Sequence, residues 1–220
     1  MILTRREILA AIKTNELAFT PEIDAYQLQP HAVDLRLGYE FKLPKTWILG
    51  PEGRKALNVD PLDANGVNLE QITLSPGQYF ELLPKEFIIA STLEEIAINS
   101  GKLMAVLYPR SSINRRGLAV DLSGIIDVGY KGKLMIPIIN NTDQQIIRVY
   151  PGERICQVVF SELATELTSE QAQLHGLTQA KYHQATKLDS KMDSVDEIGL
   201  IKQGKLADLK KQFKLDLSNK

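Results

Sequence analysis

Pro151-Gly152-Glu153-Arg154-Ile155-Cys156-Gln157-Val158-Val159-Phe160 is a turn that leads into a short apolar run. The Pro-Gly pair supplies the turn, and six residues that are mostly apolar fit a buried strand. The same alternation of short run and breaker recurs on the N-terminal side, at residues 33–37, 79–82, 87–90, 103–107 and 133–136, with a second turn signal at Pro76-Gly77. Many short strands with no long helical pattern between them predict an all-β fold, a barrel or a jelly-roll-like sandwich.

The flanks of this β body read differently. Thr4 and Glu7 have capping-box spacing, and Ile8, Leu9 and Ile12 then share one helical face, which predicts a short N-terminal helix over about 4–13. Residues 44–71 mix Pro, Gly, Asn and Asp with few apolar clusters and read as an insertion or long loop. The strand pattern stops after Leu163. Residues 165–192 are polar and irregular, with a short helix expected near 169–174. Val195, Ile198, Ile201, Leu206, Leu209 and Phe213 fall at helical spacing and predict a helix over about 194–213. The organisation expected is a β domain over 1–163 and a C-terminal helical tail over 164–220.

Hydrophobic residues make up 44% of the 220 and charged residues 24%, which excludes a wholly disordered chain. Lys and Arg total 26 against 27 Asp and Glu, so any phosphate affinity must come from a local cluster rather than from net charge. A basic–aromatic array for nucleic acid is missing. The single cysteine, Cys156, forms no internal disulfide or thiolate site and reads as packing in a reducing compartment. No apolar run approaches the ~20 residues of a membrane span, and the expectation is a cytoplasmic protein with neither a membrane nor a nucleic-acid partner. His31, His175 and His183 are scattered without metal spacing.

Three segments carry chemistry. Tyr108-Pro109-Arg110-Ser111-Ser112-Ile113-Asn114-Arg115-Arg116-Gly117 sets three guanidinium groups beside two hydroxyls, the equipment for gripping phosphate oxygens. A solvated basic turn explains the same composition. Gly124-Ile125-Ile126-Asp127-Val128-Gly129-Tyr130-Lys131-Gly132 and the apolar run after it read as a hairpin. Asp127 at its turn can orient and deprotonate a water, or simply cap the turn; Tyr130 can face a base or sugar, or simply cover the core. Gln157, polar in an apolar strand, needs a partner or a ligand, and a buried structural Gln satisfies that equally.

Taken together these segments resemble the family of trimeric dUTP pyrophosphatases and dCTP deaminases, over residues from about 33 to 160. Val33-Asp34-Leu35-Arg36-Leu37-Gly38 looks like the first motif in its deaminase-branch form. Pro109-Arg110-Ser111-Ser112 looks like the triphosphate cradle, residues 124–132 like the nucleoside hairpin, and residues 151–157 like the later motif whose Gln contacts phosphate. The resemblance implies a dUTPase-like β fold and a homotrimer with sites at subunit boundaries. It also implies that Asp127 activates the attacking water. Arg110, Ser111, Ser112, Arg115 and Gln157 would clamp the phosphates, and backbone groups at Gly124 and Ile126 would read the base. Tyr130 would lie against deoxyribose, and Mg²⁺ would be held through the triphosphate and water.

Family deaminases carry a carboxylate in a pattern like Gly-x-x-x-Leu-Glu-Leu, and counting from Gly132 puts Pro137 in the glutamate position. Proline moves no proton, so the expectation from this position is a dUTP diphosphatase that yields dUMP and pyrophosphate. A dCTP deaminase, a bifunctional deaminase–dUTPase and a non-catalytic nucleotide-binding regulator stay open as alternatives. The glycine-rich, Arg-containing arm of typical dUTP pyrophosphatases is missing, while Ala180-Lys181-Tyr182-His183-Gln184 is similar to the deaminase C-terminus without its glycines.

Overall fold

The Thr4 amide donates to Glu7 Oε2 at 2.7 Å and closes the predicted capping box, starting helix α1 at Arg5–Lys13. Ile8 and Ala11 turn inward from it, whereas Leu9, expected on that face, points outward. This computed structural model describes residues 1–59, 68–120, 124–175, 178–179 and 195–214. After α1 come β1 (Leu17–Thr20), β2 (Val33–Pro44), β3 (Trp47–Gly50), β4 (Gly53–Ala56), β5 (Leu69–Thr73), β6 (Phe80–Leu82), β7 (Phe87–Ile98) and β8 (Leu103–Pro109). Then follow α2 (Ser111–Asn114), β9 (Leu118–Val120), β10 (Ile125–Ile126), β11 (Lys131–Asn140), β12 (Ile147–Val149) and β13 (Arg154–Glu162). The C-terminal part adds α3 (Ser169–Gln173), β14 (Leu174–His175), β15 (Thr178–Gln179), α4 (Val195–Lys202) and α5 (Leu206–Gln212). Among the described residues no helix is long and apolar enough to cross a membrane.

The strands form a curled antiparallel sheet in the order β10-β8-β13-β2-β7-β11-β9, with β1 on β7 and β5 on β2. The all-β expectation, with a short N-terminal helix and C-terminal helices, holds. β2 is long enough to serve two groups of strands. Its first residues pair with β13 (Asp34 opposite Gln157), and its later ones pair with β7 and β5 (Phe41 opposite Ala90 and Ile72). Gly38 sits at the change-over, where a Cβ would stand 2.6 Å from Ser91 Oγ, so only glycine lets the strands come that close. The core lies inside the curl. Phe41 stacks on Phe80 with ring centroids 5.1 Å apart, and Phe160 meets Phe19 edge-on at 6.3 Å.

Three expectations change. Residues 44–71 are not merely a loop: β3 and β4 form a ribbon, and β5 adds an edge to β2. The ribbon's Trp47 is covered by the Arg54 guanidinium, 5.1 Å from its ring, which explains a tryptophan in a stretch poor in apolar clusters. The tail helix is two helices, α4 and α5, broken at Gly204, whose φ of +70° only glycine adopts without strain. Residues 180–184 lie outside the described residues. The third change concerns residues 124–136, where the chain makes no hairpin. β10 pairs with β8, whereas β11 pairs with β7 and β9, so the turn between them links opposite parts of the curled sheet. Two apolar runs around a glycine-rich turn have the same local pattern in either arrangement, and only the long-range partners decide.

Candidate functional site

Arg110 follows directly from β8 and begins α2, so the strand fixes its backbone and the chain then turns. Its Nε lies 3.0 Å from Asp34 Oδ2, and its Nη1 donates to the Arg154 carbonyl at 2.8 Å. Asp34 is 2% exposed on β2. The same Oδ2 also receives Arg154 Nη1 at 3.2 Å and Gln29 Nε2 at 3.3 Å. Burial pushes the Asp34 carboxyl up from its ordinary value, and the Arg110, Arg154 and Arg36 charges pull against that shift.

Ser111 and Ser112 are exposed at the start of α2, and Arg115 is exposed at its end. Arg116 is turned aside onto Glu153 at 2.6 Å. Gln157 stands opposite Asp34 on one side and Tyr108 on the other, which puts it on the Arg110 side of the sheet. It is half-buried rather than sealed in the core. The cradle residues Arg110, Ser111, Ser112 and Gln157 are therefore gathered at one end of β8. Cys156 beside them is fully buried, and burial pushes its thiol far above the usual range, in keeping with packing.

The second cluster is at the other end. Gly124 accepts from the Leu107 amide at 3.0 Å, and Ile126, opposite Ala105, is buried. Asp127 then opens a tight turn: the Tyr130 amide donates to its carbonyl at 3.2 Å, and Gly129 takes a φ of +76°. The Asp127 side chain is exposed. Tyr130 is half-buried against the core, and its hydroxyl donates to the Lys133 carbonyl at 3.0 Å. Burial, helped by the Glu95 charge, pushes its phenol up to about 12. A cleft of about 540 Å³ lies beside this turn, between Val128-Gly129 and residues 166–173. Pro137 is on β11 opposite Ile89, one residue beyond the last β9 pairing, Ile138 with Val120.

Within one chain the two clusters do not meet. Antiparallel pairing puts Ile126 beside Ala105, so Asp127 lies toward the start of β8 and Arg110 beyond its end. Six residues separate Arg110 from Met104, which is level with Asp127, about 20 Å at the strand rise, whereas Gly124 opposite Leu107 is about 10 Å along the strand from Arg110. Asp34, Arg154 and Gln29, which organise the first cluster, carried no assigned role from the sequence. The available signal was Asp34 itself, a carboxylate between Val33 and Leu35 in a buried strand, which must find cations.

The family model for dCTP deaminase-like proteins matches residues 2–163. A dCTP deaminase, dUMP-forming, of Persephonella marina is 36% identical over 163 residues, 74% of this chain and 84% of the relative. One of Methanobrevibacter smithii is 31% identical over 198 residues, 89% of this chain and 96% of the relative. The crystal structure of 2'-deoxycytidine 5'-triphosphate deaminase from Agrobacterium tumefaciens superposes with a TM-score of 0.53 at 25% identity, covering 74% of this chain and 49% of that one, so the chain spans about half its length. The relatives' names overturn the expectation of a dUTP diphosphatase alone. Pro137 is one position, and a family match that covers the whole β body outweighs it. With the model covering the whole β body and curated relatives matched over most of their own length, the chain belongs to the dCTP deaminase-like family.

Proposed function

We propose that the chain is a nucleotide-processing enzyme of the dUMP-forming dCTP deaminase kind. In that reaction dCTP and two waters become dUMP, diphosphate and ammonia. One water displaces the amino group from the cytosine ring, and the other attacks the α-phosphorus. The observation that carries the reading is the match of the whole β body to this family, with a cradle and a carboxylate turn both present at the ends of β8.

In this reading Arg110, Ser111, Ser112 and Gln157 hold the phosphate chain, with Arg115 adding charge at its outer side. Asp127 orients the water at the α-phosphorus and takes its proton. Tyr130 covers the deoxyribose, and the backbone at Gly124 and Ile126 faces the base. Alignment and charge stabilisation supply most of the rate for such a transfer. Pro137 carries no proton, so proton traffic at the ring falls to a group other than residue 137. Among the described residues no three His, Cys, Asp or Glu side chains stand together as a metal site. Mg²⁺ would be bound through phosphate oxygens and water.

The distance of about 20 Å along β8 from Asp127 to Arg110 is longer than that from an α-phosphorus to the far end of its triphosphate, which supports a site shared between copies, in keeping with the homotrimer the family resemblance implies. Light scattering measures that assembly directly. The activity is tested by offering dCTP and dUTP side by side while following ammonia and diphosphate. The expected result is dUMP with ammonia and diphosphate from dCTP. Diphosphate from dUTP with dCTP untouched overturns the reading, and tight binding of both without product replaces it with a non-catalytic regulator.

A further inference from the structure

Asp34 holds more charge than its own neutralisation requires. One guanidinium balances a carboxylate, yet two lie on its Oδ2, Arg110 Nε at 3.0 Å and Arg154 Nη1 at 3.2 Å. They arrive from different strands, Arg110 from the end of β8 and Arg154 from the start of β13. The remaining contacts fix both groups further. Arg154 Nη1 donates to the Tyr26 carbonyl at 2.6 Å, and Arg110 Nη1 donates to the Arg154 carbonyl at 2.8 Å. Arg110 Nη1 is thus hydrogen-bonded to the chain and Nε is ion-paired to Asp34, while Nη2 makes none of the described hydrogen bonds.

We propose that Asp34 is the positioning residue of the phosphate grip, clamping Arg110 by its Nε edge so that the outer edge of the guanidinium is presented to a triphosphate beside Gln157. The proposal rests on the nucleotide reading above and adds to it the group that orders the cradle. A guanidinium held by one hydrogen bond and one ion pair loses little further freedom when it meets an anion, and its planar fork keeps its direction. Two cations on one carboxylate leave a net positive charge, and the buried carboxylate holds it in a fixed place on the sheet. Gln157, cross-strand from Asp34, brings an amide to the same face. Asp34 itself is 2% exposed and does not reach the ligand.

The test compares tripolyphosphate and dCTP binding by calorimetry in the wild type, Asp34→Asn, Arg110→Ala and the double variant, with a melting curve for each. Asp34→Asn keeps the shape and removes the charge. We expect it to weaken tripolyphosphate binding about tenfold, the worth of one well-placed charge-assisted bond. Added to Arg110→Ala, it should cost nothing more. Losses that multiply show a general structural role and overturn the proposal. Unchanged affinity in Asp34→Asn beside weakened Arg110→Ala overturns the positioning role alone. Wild-type protein with no affinity for either probe overturns the nucleotide reading and the proposal with it. Should Asp34→Asn not fold, the wild-type Arg110 Nε–H resonance, assigned by its loss in Arg110→Lys, carries the test. Slow exchange with solvent is expected of a group held against a buried carboxylate, and exchange like free arginine's overturns the clamp.

Discussion

The two ends of β8 are built on different principles. At the Pro109 end, Arg110, proposed to face phosphate, is held by another side chain, through an ion-pair cluster that draws on β2, β8 and β13. At the Leu103 end the chain at Asp127 is set by a two-residue strand, a tight turn with Gly129 at positive φ, and one tyrosine hydroxyl on a main-chain carbonyl. The proposed grip would need charge presented in a fixed direction, which a counter-charge supplies. The proposed water-activating group would need a set distance from the reacting atom, which a turn supplies. The first end should therefore respond to changes of charge, and the second to changes of chain geometry.

The sharpest way to separate the ends is Asp127→Asn. Loss of a positioned base costs about 10² to 10⁴ in rate, so diphosphate release should nearly vanish while tripolyphosphate affinity stays at the wild-type level; normal turnover would show that the base is elsewhere. Whether the ends serve one site across two copies is read by co-expressing Asp127→Asn with Arg110→Ala. Random mixing leaves about a quarter of inter-copy sites with both groups intact, so activity should return from two inactive parents, and no recovery means that each chain works alone. Pro137→Glu probes the strand beside the turn. A carboxylate there should raise ammonia release from dCTP by about 10² and leave the Arg110 end untouched, as a tripolyphosphate titration would record.

The smallest effect belongs to Tyr130→Phe, which removes one hydrogen bond and should cost about 1 kcal/mol in urea unfolding. The same hydroxyl gives a pH signature. Its phenol is raised from 10.0 to about 12, so the fold favours the neutral form. That contribution is complete below pH 10 and is lost as pH rises through about 12. The wild type should therefore lose its lead over Tyr130→Phe as pH rises above 10 and fall below it in strong alkali, where a buried phenolate costs more than the hydrogen bond gives.

Local signals were legible in the sequence. The Thr4–Glu7 box, the Pro-Gly turns and the short apolar runs each reflect forces acting within a few residues, and each landed where expected. The partners of those runs were not legible. β10 and β11 flank one turn yet pair with β8 and β7, because hydrogen-bonded neighbours are chosen by the whole curl rather than by adjacent residues. That Arg110 and Gln157 belong together was legible from their motifs, and the structure gathers them on one side of the sheet. The hold of Asp34 on Arg110 was not, because it joins residues far apart in the chain. Pro137 shows the opposite limit. A single substitution was clear in the sequence, and its weight against the rest of the scaffold was not.

β2 belongs to both neighbourhoods at once, lending its first residues to β13 and its later ones to β7 and β5. Such a shared seam ties the two halves into one cooperative unit, since neither can shed its ladder without stripping the other. Amide protons along 33–42 should then exchange with solvent only through global opening, and the ion-pair cluster rooted at Asp34 should persist until the entire body melts.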